Sequence, residues 1–527
     1  MTFDLFFSPA TPGLRFRAAG TSRALTAALA GIALVCSAFL LPHLGAAERN
    51  IIFIITDDQS QTLGCYGDPV AVTPAIDAIA ADGTVFRKAF ATTASCAASR
   101  SVVMTGLHNH RNGQYGHQHA YHGFESWRST ISLSLPRVLK NEGYRTGHVG
   151  KYHVAPEEVF RFDEYFRGPA RNPVEMAEAV REFITAGGDE PFFLYYAPSD
   201  PHRGGGVDQT SPSQLKPNLF GNLPEGESHE GVDEVFYDPA TVPIPHFLTD
   251  TVETREELAH YYQSVSRIDR GVSRLVEILE EAGLYDKTLI VFTSDHGMAF
   301  AGGKTTVYEG GLLVPFVVRN PYEPNRGVVS DALISHTDIT PSLLDFAGGL
   351  DPETNAPRKM VDAREYWRQS EAARDNLGPV LDRYQGKSWI PILGDPEAEH
   401  WEILHASHTF HEIQMYYPMR VVRDQEYKLI WNIAHALPYP FASDLWAASS
   451  FQAQFQQSLD APYGQKTVGE YIHRPAFELF KISEDPYESK NLASDPAYRE
   501  VLQRYQEKLK AVQKEFGDPW VMKWDYE

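Results

Sequence analysis

The feature that most constrains this 527-residue chain is a repeated change of hydrophobic period between Asn50 and about Gly349. Short unbroken apolar runs, among them "IIFIIT" and "TLIVFTS", have the length of strands buried on both faces, and amphipathic segments lie between them. Thr73 as N-cap, Pro74 at the first helical position and Gly83 as terminator bracket a helix over "PAIDAIAAD". From about Arg255 to Ala282, Leu258, Tyr262, Val265, Ile268, Val272, Leu275 and Leu279 recur every three or four residues, and Gly283 closes that helix. Such alternation predicts an α/β fold with a mostly parallel central sheet flanked by helices.

In open α/β sheets, ligands bind beyond the carboxyl ends of the strands. Four predicted strands end in "TDD", "GKYH", "SDPH" and "SDHG". Any one of these is explained by a turn or cap, but four converging on one sheet edge point to a site. Asp57, Asp58, Asp295 and His296 supply three carboxylates and an imidazole, a set suited to Ca²⁺ before Mg²⁺. Zinc would call for more His or Cys, and no H-E-x-x-H occurs. Lys151 and Lys304 are candidates to neutralise an anionic group, and His153 and His202 to move protons.

Cys96 stands in "SCAASRSVVMTG", at the mouth of a predicted helix and four residues before Arg100. Backbone N–H groups and positive charge there favour an anion; the bland alternative is a small buried residue. The tract "HNHRNGQYGHQHAYH" carries His108, His110, His117, His119 and His122; it would suit a pocket wall or a transition-metal site but reads first as a His-rich loop with one or two useful members, His110 foremost.

The formal net charge is −22, with no long Lys or Arg run, which argues against nucleic-acid and anionic-membrane partners. Residues 1–47 read as a signal peptide, with an uncleaved anchor as the runner-up: Arg15, Arg17 and Arg23 precede an apolar stretch from Ala24 to Leu41, with small residues at Ala46 and Ala47. This predicts export, to a periplasmic or extracellular space or a lysosome-like compartment, without stable membrane association. Cleavage would remove Cys36, leave Cys65 and Cys96, and provide no disulfide framework. A catalytic domain is expected over 48–395. Residues 396–527 read as a smaller α+β domain with antiparallel strands ("MRVVRDQEYKLIWNI", "AFELFKI") and a terminal helix from about Ala497 to Phe516.

Taken together, Cys96-x-Ala98-x-Arg100, Asp57–Asp58, Lys151/His153, His202 and Asp295–His296 resemble the formylglycine-dependent sulfatases, in order and spacing, over nearly the whole chain after residue 47. The strings "TGLHNHRNGQYG", "RTGHVGKYHV", "PFFLYYAPSDPHR", "HEIQMYYPMR" and "DPWV" are most similar to the sulfamidase branch, which removes N-linked sulfate from glucosamine of heparan sulfate. That resemblance implies an alkaline-phosphatase-like fold and one Ca²⁺ held by Asp57, Asp58, Asp295, His296 and the residue at 96. It also implies oxidation of Cys96 to formylglycine by a separate maturation enzyme, and a sulfated saccharide substrate. Arg100 would orient the formylglycine, Lys151 and Lys304 would offset sulfate charge, His202 would protonate the leaving amine and His153 would accept a proton. His110, Glu412 and Arg420 would contact the sugar. A homodimer is compatible with the chain.

Three departures from the family pattern stand out: Ala97–Ala98 where Ser or Thr followed by Pro is common, His296 in place of Asn, and Lys304 in place of Arg. Rival readings are a glycosaminoglycan O-sulfatase, a phosphate or phosphonate ester hydrolase of the same superfamily, and an exported sulfated-glycan-binding protein without turnover.

Overall fold

The computed structural model describes residues 49–118, 123–188, 190–203, 206–207, 215–216, 220–224 and 226–526. The expected signal peptide and His119 and His122 lie outside the described residues. From Ala46 onward the chain forms one compact unit.

The first strand, β1 (Asn50–Thr56), is buried along its whole length. Its alternating side chains enter two separate cores: Ile52 and Ile54 join one, while Ile51, Phe53 and Ile55 join the other. This is why the run is apolar without a polar face. With β2 (Thr84–Phe86), β3 (Arg145–Gly150), β4 (Glu164–Phe166), β5 (Phe192–Ala197), β6 (Thr288–Ser294), β7 (Phe316–Arg319) and β8 (Val328–Ser330), it forms an eight-stranded sheet of order β8-β2-β7-β6-β1-β5-β3-β4. All neighbours are parallel except β7, which runs antiparallel to both β2 and β6. Register places the site. Thr56 pairs with Ser294, and Gly150 with Ala197, so the acidic and basic residues that follow leave the sheet at one edge.

Helices α1 (Pro74–Ala81), α2 (Cys96–Thr105), α3 (Pro173–Ala179) and α4 (Val252–Glu281) cover the sheet. The predicted periodic positions of α4 are buried, and Gly283 adopts φ +66° just past its end. The start of α1 differs from expectation. The Thr73 hydroxyl does not cap that helix; it accepts from Gly64 N–H and bonds the Asp77 carboxylate. The free N–H groups of Ala75 and Ile76 donate instead to Asp269 of α4, at 3.3 and 2.8 Å. A carboxylate from the neighbouring helix takes the role a local cap would fill. Gly83 is needed for space rather than for a left-handed turn, since a Cβ there would lie 2.4 Å from the Val318 carbonyl oxygen.

The later part of the chain forms a four-stranded antiparallel sheet: β9 (Leu404–His408), β10 (Met419–Arg423), β11 (Lys428–Asn432) and β12 (Phe477–Phe480). Tyr505 and Leu509 of α5 (Arg499–Phe516) pack on Val422 and Leu429. Leu404, Met419, Ile430 and Phe451 share the cluster that holds Ile52 and Ile54, so this part packs into the same unit. Among the described residues, no helix is long and apolar enough to cross a membrane.

Candidate functional site

Cys96 is the first residue of α2, behind an extended Ser95 whose side chain makes no cap bond. Its Sγ lies 3.3 Å from His296 Nε2 and 3.7 Å from Asp58 Oδ1, and it is fully buried. Burial opposes ionisation of the thiol, but Lys151, Lys304 and His296 together hold it well below its ordinary range. The surroundings of position 96 are therefore built for negative charge.

Asp58, Cys96, Asp295 and His296 bring one donor atom each within 4.8 Å of one another, all buried. Asp58 adopts φ +67°, which turns its carboxylate from the strand end towards His296 Nε2 at 3.1 Å. His296 Nδ1 bonds the Gly297 carbonyl at 2.9 Å, leaving Nε2 to face the cluster. Asp295 Oδ1 accepts from the N–H groups of Asp58 and His296 at 3.0 and 2.9 Å. Burial raises Asp58 above its ordinary value and pushes Asp295 up to about 7. Despite its burial, His296 is raised to about 10 by Asp295 and Asp58. Crowded, desolvated carboxylates with an imidazole nitrogen aimed at them fit a divalent cation with oxygen-rich coordination, which would take the place of the ring proton. Asp57 stands beside this group with a different partner set. Its oxygens take Lys151 Nζ at 2.6 Å and Arg100 Nη2 at 3.3 Å, and against its burial Lys151 holds it well below the usual carboxylate range.

Arg100 is fully buried one helical turn beyond Cys96. It joins Asp295 at 3.0 Å to Asp57 and to the Thr56 and Lys151 carbonyls, which ties α2 to the ends of β1, β3 and β6. Lys304 Nζ lies 2.9 Å from Asp58 Oδ2 and 3.0 Å from His202 Nε2. Both lysines stay charged: burial disfavours the ammonium, but Asp57 raises Lys151, and Asp444 with Asp58 raises Lys304 well above its usual value. His153, at φ +52°, faces the Cys96 thiol, and burial lowers its pKa. The strand-end and Cys96 residues singled out in the sequence thus meet in one place.

Three neighbours were not assigned to this site from the sequence, although His117 lies in the His-rich tract and His411 opens "HEIQMYYPMR". His117 reaches the Cys96 thiol and packs 4.5 Å from the His153 ring, while burial lowers it to about 3. The His411 ring packs, tilted, 4.0 Å from that of His117 and meets Ser95 Oγ at 3.0 Å. Asp444 contacts Lys304 at 3.0 Å from 140 residues away. Next to His202, Arg203 forms a bidentate pair with Glu257 at 2.8 and 3.0 Å and lies over Phe220 and Phe300. Asp200, gripped by Arg171 and Arg267 at 2.8 Å each, receives the Asp57 N–H on its carbonyl. Those contacts hold the His202 segment against β1.

The expected sugar-contact residues are placed differently. Arg420 is buried, and its guanidinium is taken by Asp518, the His408 and Met419 carbonyls and the Thr409 hydroxyl. Those partners hold it in the protein wall, which corrects its expected place on the sugar. His110 is buried as well, with Nδ1 4.0 Å from Asp518 and its ring 5.5 Å from that of His405, inside the same wall. Glu412 is half-buried at the loop before β10 and accepts from Gln414.

The sulfatase family model matches residues 49–349. Over 504 residues the chain is 34% identical to N-sulphoglucosamine sulphohydrolase of Homo sapiens, covering 92% of this chain and 94% of that protein. An ulvan-active sulfatase of Formosa agariphila is 28% identical over 488 residues, covering 89% of this chain and 81% of the relative. A protein solved in complex with its substrate D-glucosamine-2-N,6-O-disulfate shares the fold, with a TM-score of 0.59 at 19% identity over 89% of this chain and 98% of that one. The chain belongs to the sulfatase family.

Proposed function

We propose that this member of the sulfatase family hydrolyses the N-linked sulfate of glucosamine in heparan sulfate or heparin fragments, using formylglycine derived from Cys96. The observation that carries this reading is the 34% identity to the human N-sulphoglucosamine sulphohydrolase along almost the full length of both chains. Position 96, built for negative charge, supports it.

In this reading Sγ of Cys96 marks the place of the formylglycine oxygen, whose hydrate supplies one hydroxyl for attack on sulfur and a second to expel the sulfate. Asp58, Asp295 and His296 would hold Ca²⁺, with Asp57 alongside, and the cation would offset charge on the sulfate oxygens. Lys151 and Lys304 offset the remaining charge, which lets a chain of net charge −22 accept an anion. A sulfate that takes up the Lys304 ammonium frees His202 Nε2 to carry a proton to the leaving nitrogen. His153, facing position 96, accepts a proton from the second hydroxyl. Arg100 fixes position 96 through its ion pairs, and Glu412 is the candidate sugar contact. Export directed by residues 1–47 and a formylglycine-generating partner complete the proposal.

Sulfate release from N-sulfoglucosamine and from 6-O-sulfated glucosamine, measured side by side on purified protein, tests it. Release from the N-sulfated sugar is expected. Release from the O-sulfated sugar alone would overturn the sulfamidase reading in favour of an O-sulfatase, the alternative to which the ulvan-active relative lends support.

A further inference from the structure

Asp444 is an acidic group at the site that neither the strand ends nor the Cys96 pattern points to. It belongs to the short turn Ser443–Trp446, and its side chain is 12% exposed, less than the 27% of His202 beside it. Oδ2 accepts from Lys304 Nζ at 3.0 Å, and Oδ1 accepts from the Leu445 N–H at 3.0 Å, so each oxygen retains a lone pair. Asp58 and Asp444 both contact Lys304, which gives two carboxylates to one ammonium.

The donor atoms of His202 and Asp444 lie within 4.8 Å of each other. Lys304 Nζ bridges them, 3.0 Å from each, so a sulfate that draws the ammonium away leaves a place where one substrate atom can meet both at about 2.9 Å. That atom differs between the two substrate classes. The bridging nitrogen of a sulfamate carries a hydrogen, whereas the bridging oxygen of a sulfate ester carries none. An ionised carboxylate can only accept.

We propose that Asp444 is a specificity-determining residue that selects a nitrogen leaving group by accepting its N–H, an inference that rests on the sulfamate reading above. As the S–N bond breaks, its electron pair stays on nitrogen, nitrogen takes the proton from His202, and sulfur bonds to the attacking oxygen. The freed amine takes a second proton from water and becomes an ammonium opposite Asp444, a charge-assisted contact. An ester oxygen in the same place sets lone pairs against the carboxylate, a repulsion that counts against the wrong substrate.

The test uses the full-length matured enzyme with Asp444→Asn and Asp444→Ala. It measures N-sulfoglucosamine turnover and product inhibition by glucosamine and by inorganic sulfate. In both variants kcat/KM is expected to fall roughly 10- to 100-fold, with glucosamine inhibition weakened to a similar degree, as for loss of a hydrogen bond to a charged group. Sulfate inhibition should stay within about 3-fold, below the tenfold that 1.36 kcal/mol represents. Equal weakening of both inhibitors would show that Asp444 merely positions Lys304, and would overturn the proposal. A second arm needs no variant: glucosamine should inhibit the wild type at least ~10-fold more strongly than N-acetylglucosamine, which has no ammonium to pair. Equal inhibition overturns the proposal even where both variants fail to fold. Failure of the underlying reading shows separately, as wild-type protein that releases sulfate only from the O-sulfated sugar.

Discussion

Glu257→Gln should weaken both the fold and the segment that carries His202, the proposed proton donor, because the buried Arg203 guanidinium has Glu257 as its bidentate acid. Glu257 is 4% exposed on α4. Oε1 accepts from Arg203 at 2.8 Å and from the N–H and hydroxyl of Ser449 at 2.8 and 2.7 Å. Oε2 accepts from Arg203 at 3.0 Å and from the Ser450 hydroxyl at 2.5 Å. An amide removes the charge and turns an N–H₂ towards groups that are themselves donors. Breaking a buried pair in this way costs about 3–5 kcal/mol. For the unit from Ala46 to Glu527, at ~2 cal/mol/K per residue, the unfolding entropy is about 1 kcal/mol/K. The thermal midpoint should therefore fall by about 3–5 °C at pH 7. Arg203 directly follows His202, and small misplacements of a reacting group are costly, so kcat should fall at least ~10-fold. The sign with pH is fixed as well. Burial opposes ionisation of Glu257, but Arg203 depresses its pKa below the ordinary 4.5. Its stabilisation is present above about pH 4.5 and is lost as pH falls through the folded value. Scanning calorimetry of wild type and variant between pH 4 and 8 should show a gap that narrows in acid. A midpoint within ~1 °C of wild type at pH 7, where the pair should contribute about 3–5 kcal/mol, would refute the reasoning.

Mass spectrometry of the Cys96 peptide from active protein should show it about 18 Da lighter than the cysteine form, as thiol-to-aldehyde oxidation requires. Cys96→Ala should abolish turnover while the thermal midpoint stays near that of wild type; an unmodified thiol in active protein would defeat the mechanism. Asp269→Asn should lose stability from an N–H₂ turned towards the Ala75 or Ile76 N–H, but its midpoint relative to wild type should rise between pH 4 and pH 8. Burial pushes Asp269 up to about 6 from 3.8, so its favourable protonated form is fully present below pH 3.8 and lost as pH rises through 6. About two units correspond to an upper bound of ~3 kcal/mol, which a permanently neutral amide retains at high pH. A difference between wild type and variant that does not change with pH would count against this account.

The parts of the molecule legible in the sequence are those whose physics is local. The parallel sheet follows from "IIFIIT", since a strand that feeds two cores has no polar face. The site's acids and bases were visible because strand ends in such a sheet converge. Asp57 shows how the fold gives the two halves of an Asp pair different partners. As one half of an Asp pair it reads as a ligand like Asp58, yet the turn at Asp58 separates them, and Asp57 meets Arg100 and Lys151. Arg420 likewise reads as a sugar contact in "HEIQMYYPMR", and only folding brings Asp518 to it from 98 residues away. Asp444 lies in a short turn without a motif, and although His117 and His411 fall in strings that drew attention, neither period nor spacing says which histidine of a loop reaches Cys96. Thr73 had the right chemistry for a cap, but Asp269, almost two hundred residues later, provides a charged one.

The distance along the chain between Cys96 and the groups that enclose it has a consequence in time. In the finished fold Cys96 is 0% exposed, and no enzyme larger than its own pocket could work on that thiol. Two of its direct enclosers, His296 and Lys304, are encoded roughly two hundred residues downstream. At about 5–20 residues per second of synthesis, some 10–40 seconds pass between the appearance of Cys96 and that of its enclosure. During that interval the cysteine rides on a nascent segment that cannot yet close over it. If Cys96 is converted as proposed, the same topology that seals position 96 in the finished fold would confine that conversion to this interval, and the pace of folding would set how much of the chain is converted.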